Sequence, residues 1–328
     1  QNPKLNVTFL NQEKKVISGE ITIMLKDYSF AQIEQGLQTL MAPMHCTYVI
    51  SQTKPDDKSL QTTETFDTWF SSGQWPLVTL GYPDSPDFKY FYPTSVLETG
   101  WEILSKWVSR MVMFGLYLTD KVPFDNVYLH GIVHALDGRK MSKSLGNVIN
   151  PEEYLTQFGA DVLRMGLISG TANGKDFSFP KDKVIAYRNF ANKLWNMGRF
   201  ILMNLENKQV GFYTDKMTGL TSTDKDILKK LTATIMSTDT NLEKFRFAQA
   251  AEVIYHFTWH EFADKYIELS KERIQKGDIV VLSVLRHVYL NSLKLLHPFM
   301  PFITEEIWGK FPRKHNDPLI ISKWPSAK

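Results

Sequence analysis

From Lys181 to Lys310 the chain carries almost no strand signal, and this constrains its fold more than any other feature. Val184, Tyr187, Ala191, Leu194, Ile201 and Leu205 recur at helical spacing, so a single long helix would bury them as one stripe. Further helical patterns occupy roughly 223–241, 244–273, 278–296 and 303–310, which predicts a helical bundle over 183–310.

Upstream the texture alternates. Ser95–Thr99 reads as a strand and Trp101–Leu118 as a helix, with Ile103, Trp107, Met111 and Phe114 at three- and four-residue steps. Val127–Val133 (VYLHGIV) is short, apolar and branched, the pattern of a buried strand in an α/β sheet. Gln74–Asp87 is punctuated by Pro76, Pro83 and Pro86 and reads as loop. Asn150-Pro151-Glu152-Glu153 is a helix start: Asn caps free amides, Pro suits the first turn, and the carboxylates face the positive helix end. Before Phe66 the expectations are a strand over Val16–Leu25, a short helix over Ala31–Leu40, a strand over Thr47–Ser51 and a loop over Thr53–Glu64. The expected division is an unassigned segment over 1–60, an α/β part over 61–182 and an all-α part over 183–328.

Composition narrows the class. A net charge of +3, from 38 basic and 35 acidic residues, neither identifies nor opposes a nucleic-acid partner. The single Cys46 excludes an internal disulfide framework and a cysteine-based zinc site, and an inert buried thiol is its expected state. No unbroken apolar run has the length of about 18 residues that a membrane span needs, and Gln1-Asn2-Pro3-Lys4 lacks the apolar core of a secretory signal. A cytoplasmic protein with no membrane partner is expected.

The chemistry concentrates in Lys140-Met141-Ser142-Lys143-Ser144, between Gly138 and Gly146 and directly after a predicted strand. Strand ends of α/β sheets are where ligands bind, and ammonium groups there would neutralise charge developing on a phosphate chain. P-loop and Gly-x-Gly-x-x-Gly patterns are both absent, which disfavours those nucleotide folds. Five specified residues occur by chance in such a chain roughly once in ten thousand. KMSKS is the signature of the class I aminoacyl-tRNA synthetases, and the chain resembles that family, in detail its valine-specific branch. The resemblance is carried by Phe66–Pro76 (FDTWFSSGQWP), Phe91–Thr94, Gly100–Met113, Val127–Pro151, Gly159–Arg164 (GADVLR), Tyr187–Trp195, Phe245–Lys271 and His297–Trp308.

The resemblance implies a partial Rossmann-like catalytic domain followed by an anticodon-binding helical bundle. It implies ATP-dependent activation of valine to valyl-adenylate, with Mg2+ and no organic cofactor, and transfer to tRNA(Val). Lys140 and Lys143 match the catalytic loop that embraces the triphosphate. Gly100, Glu102, His130, Gly131, Met141, Ser142 and Ser144 match the rest of the ATP site, with Glu102 standing where the family has Asp. Trp69, Ile103 and Trp107 match the valine pocket. If 101–118 is one helix, Ile103 and Trp107 share a face. Arg188, Asn189, Lys193 and Arg199 lie on or beside the polar side of the first bundle helix, where they would meet RNA phosphates. No metal ligands are expected among the side chains.

Parts of the family pattern are unmatched: its His-x-Gly-His-type element, the editing insertion and a tryptophan-rich segment before the DTWFSS run. The expectation is therefore a chain that is inactive alone and needs a partner carrying the remaining catalytic motif. The alternative is a synthetase-like RNA-binding protein that has lost aminoacylation. The intact KMSKS loop and valine-pocket positions favour the first.

Overall fold

The computed structural model describes residues 6–13, 15–41, 52–53, 66–179, 181–312 and 317–327, and divides into two compact units, Gln1–Thr65 and Phe66–Lys328. Cys46, the predicted strand at 47–51 and nearly all of the predicted 53–64 loop lie outside the described residues.

In the first unit, strands β1 (Asn6–Leu10) and β2 (Val16–Glu20) pair antiparallel, Asn6 opposite Glu20. Asn11 shapes their turn: its side-chain oxygen accepts from the amides of Glu13 and Lys15. The alternation from Val16 to Leu25 predicted one strand, but it breaks at Ile21, where the one-turn helix α1 (Ile21–Met24) begins. That turn brings Met24 in to pack with Phe9 and Ile33, the buried core of the unit. Helix α2 (Phe30–Met41) starts at a reciprocal cap, with Gln32 accepting from the Ser29 amide and Ser29 accepting from the Gln32 amide.

The second unit opens with short helices α3 (Thr68–Gly73), α4 (Trp75–Val78) and α5 (Pro86–Phe91), so the proline-rich stretch is partly helical. Pro76 and Pro86 sit in first turns, where a missing N–H costs nothing. Then come β3 (Thr94–Gly100), a crossover ending in α6 (Ser109–Thr119), and β4 (Phe124–His130), parallel to β3. Leu97, Val108, Met111 and Phe124 pack between strand and helix. The crossover is not the single regular helix predicted over 101–118. A 3-10 turn at Trp101–Ile103 and a wider, π-type turn at Leu104–Val108 precede α6. Two long-range indole bonds, Trp101 to Asp176 and Trp107 to the Ser72 carbonyl, pin rings that a regular helix would carry elsewhere.

The predicted buried strand at 127–133 is only half covered, and Val127 is exposed. Among the described residues β4 pairs with β3 on one side, while short β5 (Val133–His134) pairs with β6 (Phe177–Ser178) after a break at Gly131. Helix α7 (Pro151–Phe158) starts at Asn150, whose side chain accepts from the Glu152 amide as the sequence predicts, and α8 (Ala160–Ile168) follows.

The bundle comprises α9 (Lys181–Leu205), α10 (Ser222–Glu243), α11 (Phe247–His256), a π-type continuation (Phe257–Ile267) into α12 (Glu268–Gln275), α13 (Ile279–Leu296) and α14 (Pro301–Lys310). The predicted stripe on α9 is buried at every position. Tyr289, Phe190, Phe262, Leu194, Ile254 and Leu285 are wholly enclosed, each contributing about 1.5–3 kcal/mol by burial. By length and composition α13 alone among the described helices is apolar enough to cross a membrane. Two thirds of it is buried inside the bundle as a core helix. The α/β part is bolted to the bundle from α8: Asp161 accepts from the Phe302 and Ile303 amides at the start of α14, and Arg164 donates to the Pro298 and Phe299 carbonyls. Burial pushes the Asp161 carboxyl up from its ordinary range against those two amide bonds.

Candidate nucleotide and valine site

Gly100 and His130 lie opposite each other at the carboxyl ends of β3 and β4. The chain leaves β3 through the Trp101–Ile103 turn, which carries Glu102. It leaves β4 through Gly131, β5 and the loop containing Lys140–Ser144. These two exits meet: the Lys140 ammonium lies 2.9 Å from Glu102 Oε2. Side chains from segments 38 residues apart thus close one crevice at the sheet edge.

The loop is braced rather than loose. Asn147 accepts from the Ser142 amide (2.8 Å) and donates to the Lys140 carbonyl (3.1 Å), and the Ser142 and Ser144 hydroxyls lie 2.7 Å apart. Met141 is half-buried, while Lys143 opens a short 3-10 turn and is exposed with no ion pair among the described residues. One lysine is therefore paired with Glu102, and the other is exposed. The His130 ring has Nδ1 2.9 Å from the Gly131 carbonyl and Nε2 3.2 Å from Glu98. A cavity of about 450 Å3 adjoins it, lined by Glu98, Tyr128, His130, Ile168, Phe247 and Phe299 among others.

The two predicted glycines differ in what they serve. A Cβ on Gly131 would stand 1.8 Å from the Lys175 carbonyl oxygen, so the close approach of the 174–177 segment demands glycine. On Gly100 it would meet Ile132 and His130 at 3.5 Å or more, ordinary contact, so sterics among the described residues do not demand glycine there.

Trp69 lies half-buried on α3, its amide bonded to the capping Asp67 carboxylate. Trp107 donates to the Ser72 carbonyl (2.9 Å) and meets Trp75 edge to face, ring centroids 6.2 Å apart. Because 101–108 is irregular, Ile103 and Trp107 do not share a helix face by simple four-residue spacing, as the sequence suggested; both are half-buried. On α9, Arg188, Asn189 and Arg199 are exposed. Lys193 is engaged, paired with Asp264 and placed over the Trp259 ring at 4.0 Å.

Sequence reasoning missed Asp176. Its Oδ1 accepts from the Ile132 amide (2.7 Å) and the Trp101 indole (2.8 Å), and its Oδ2 lies 3.4 Å from His134 Nε2. The Ile132 amide first, then the indole and the His134 and Lys140 charges, hold this carboxyl below the usual range. Glu98, Asn147 and Asp161 were missed as well. Asn147, six residues beyond Met141, and Asp161, inside the GADVLR run, had local signals; Glu98 had none.

Residues 12–180 match the family described as tRNA synthetases class I (I, L, M and V), and residues 224–328 match the anticodon-binding domain of tRNA ligase. The chain belongs to the class I tRNA synthetases. The match reaches back to residue 12, into the segment that the sequence left unassigned. Curated relatives named valine–tRNA ligase include that of Geobacter sulfurreducens, 45% identical over 81% of this chain and 30% of its own length. Those of Clostridium tetani (44%, 82% and 31%) and Staphylococcus carnosus (41%, 85% and 33%) are similar. The synthetase chain thus spans about 30% of the relative from Geobacter. Among solved structures it resembles LeuRS of Agrobacterium radiobacter K84, in a ternary complex with tRNA and LeuAMS (TM-score 0.66, 25% identity, 80% of this chain and 33% of that one). Mycobacterium tuberculosis methionyl-tRNA synthetase with methionyl-adenylate shares the fold (TM-score 0.60, 21% identity, 70% and 47%).

Proposed function

We propose that this chain provides the KMSKS side of the active site and the anticodon bundle for ATP-dependent activation of valine and its transfer to tRNA(Val), in the cytoplasm. The observation that carries the reading is the meeting of Lys140 with Glu102 at the ends of the parallel strands, with Lys143 left free beside them.

In this reading MgATP lies across the strand ends, Mg2+ entering as the counter-ion of the triphosphate. Glu102 faces the ribose, and the Gly100, His130 and Gly131 edge receives the adenosine. Met141, Ser142 and Ser144 shape the loop, while Lys140 and Lys143 face the phosphates. Valine's carboxylate oxygen attacks the α-phosphorus, the bond to the bridging oxygen breaks, and pyrophosphate leaves with the electron pair. The lysines stabilise the charge gathering on that leaving group, a contribution of alignment and electrostatics. The tRNA 3′-terminal ribose hydroxyl then displaces AMP from valyl-adenylate. Trp69, Ile103 and Trp107 hold the valine side chain, and Arg188, Asn189 and Arg199 meet the tRNA backbone.

The relatives' length and the missing histidine element support a second part supplying the rest of the catalytic machinery. With that part present, Lys143→Ala should slow adenylate formation far more than it weakens valine binding. Equal loss of both would remove the transition-state role of this lysine.

A further inference from the structure

Resting on the nucleotide reading above, we propose that Asp176 is the positioning residue of the site: it holds the two walls of the crevice at a fixed separation. Trp101 lies next to Glu102 on one wall, Ile132 next to Gly131 on the other, and one oxygen of Asp176 accepts from both, at 2.8 and 2.7 Å. The β3–β4 ladder joins the walls as far as the Gly100–His130 pair, and beyond it the Asp176 bonds continue the tie, whereas the Lys140–Glu102 pair joins two exposed, flexible side chains.

Asp176 is itself firmly placed. The Gly174 amide donates to the Leu129 carbonyl (2.9 Å) and the Phe177 amide to the Ile132 carbonyl (3.1 Å), so sheet bonds fix the backbone on both sides of it. Gly131, lacking a Cβ, admits this segment against the strand. The other carboxylate oxygen faces His134, whose Nδ1 lies 2.9 Å from the Gly138 carbonyl at the root of the KMSKS loop. One carboxylate thus contacts both walls and, through His134, reaches the loop's base. It is a bond acceptor for protein groups and takes no part in the chemistry; its effect on the nucleotide passes through Trp101 and Ile132.

The test is a double-substitution cycle of Asp176→Ala and Trp101→Phe on the whole chain, with a polypeptide carrying the histidine element present, read by MgATP affinity and by the indole N–H resonance of Trp101. Asp176→Ala and Trp101→Phe should each weaken MgATP by about tenfold, as loss of a charge-assisted bond implies, and the double variant should be no worse than Asp176→Ala. Asp176→Ala should also move the Trp101 indole resonance, and Asp176→Glu should partly restore affinity. If Asp176→Ala does not fold, Asp176→Asn, which preserves size, carries the same cycle. Multiplying losses in the double variant, or unchanged MgATP affinity in a folded Asp176→Ala, would overturn the proposal and leave the nucleotide reading standing. Failure of the unsubstituted chain to bind MgATP with the histidine-bearing part present would instead sink the nucleotide reading and the positioning role with it.

Discussion

Replacing Gly131 by alanine should damage the site by steric force alone. Gly131 is not among the residues with left-handed backbone, so alanine can adopt its conformation. The added Cβ would lie 1.8 Å from the Lys175 carbonyl oxygen and 2.2 Å from its carbon, and real Cβ atoms hardly ever approach closer than 3.0 Å. The 174–177 segment must therefore recede by roughly 1.2 Å or more, since the obstacle is backbone and has no rotamer to change. Such a shift breaks the Phe177–Ile132 and Gly174–Leu129 bonds and loosens Asp176 from the Ile132 amide. At about 1 kcal/mol for each of the two neutral bonds, less about 0.5 for the stiffer unfolded chain, the lost backbone bonds alone cost roughly 1.5 kcal/mol. Urea unfolding gives the energy, and amide hydrogen exchange at Ile132 and Phe177 gives the location. Gly100→Ala is the control, with stability within about 0.5 kcal/mol because its Cβ meets only ordinary contacts. A Gly131→Ala variant equally close to the unsubstituted chain, with unchanged exchange at both amides, would refute the reasoning.

Two further outcomes concern the bundle. Asp224 is fully buried, accepts from Tyr266, Arg273 and the Thr221 amide, and closes the capping box of α10. Asp224→Ala should cost about 2–4 kcal/mol in urea unfolding, because it removes the cap and the acceptor of the buried Tyr266 hydroxyl while Arg273 keeps only Asp278; a loss under about 1 kcal/mol would contradict this. Burial brings the His287 imidazole down from 6.5 to about 4, so the folded state keeps it neutral while the unfolded chain takes up the proton first. Stability should therefore fall as pH drops from about 6.5 towards 4, by at most about 3 kcal/mol, and His287→Gln should flatten that slope; an identical slope would remove His287 as its source.

What the sequence showed was local. The α9 stripe, the Asn150 cap and the KMSKS loop each lie within a few residues, so spacing alone exposes them. Asp176 and Trp101 are 75 residues apart, and Asp161 meets Phe302 from 141 residues away. No periodicity marks such a carboxylate, because its partner is an amide that every residue carries. The irregular backbone at 101–108 escaped for a related reason: apolar spacing reports which side is buried, while long-range indole bonds decide the turn geometry. The half-covered β4 shows the limit of composition, since an apolar strand looks the same whether one or two neighbours flank it.

Lys140–Ser144 and the adjoining strand ends are proposed to activate valine once the remaining catalytic motif is supplied. Valine-dependent pyrophosphate–ATP exchange measures this directly, with the chain alone and with a polypeptide carrying the histidine element of a valine-specific synthetase. No exchange is expected from the chain alone, and with the added part exchange should depend on valine and collapse with Lys143→Ala. Robust exchange by the chain alone, or a stable complex of the two parts that exchanges nothing, would contradict this.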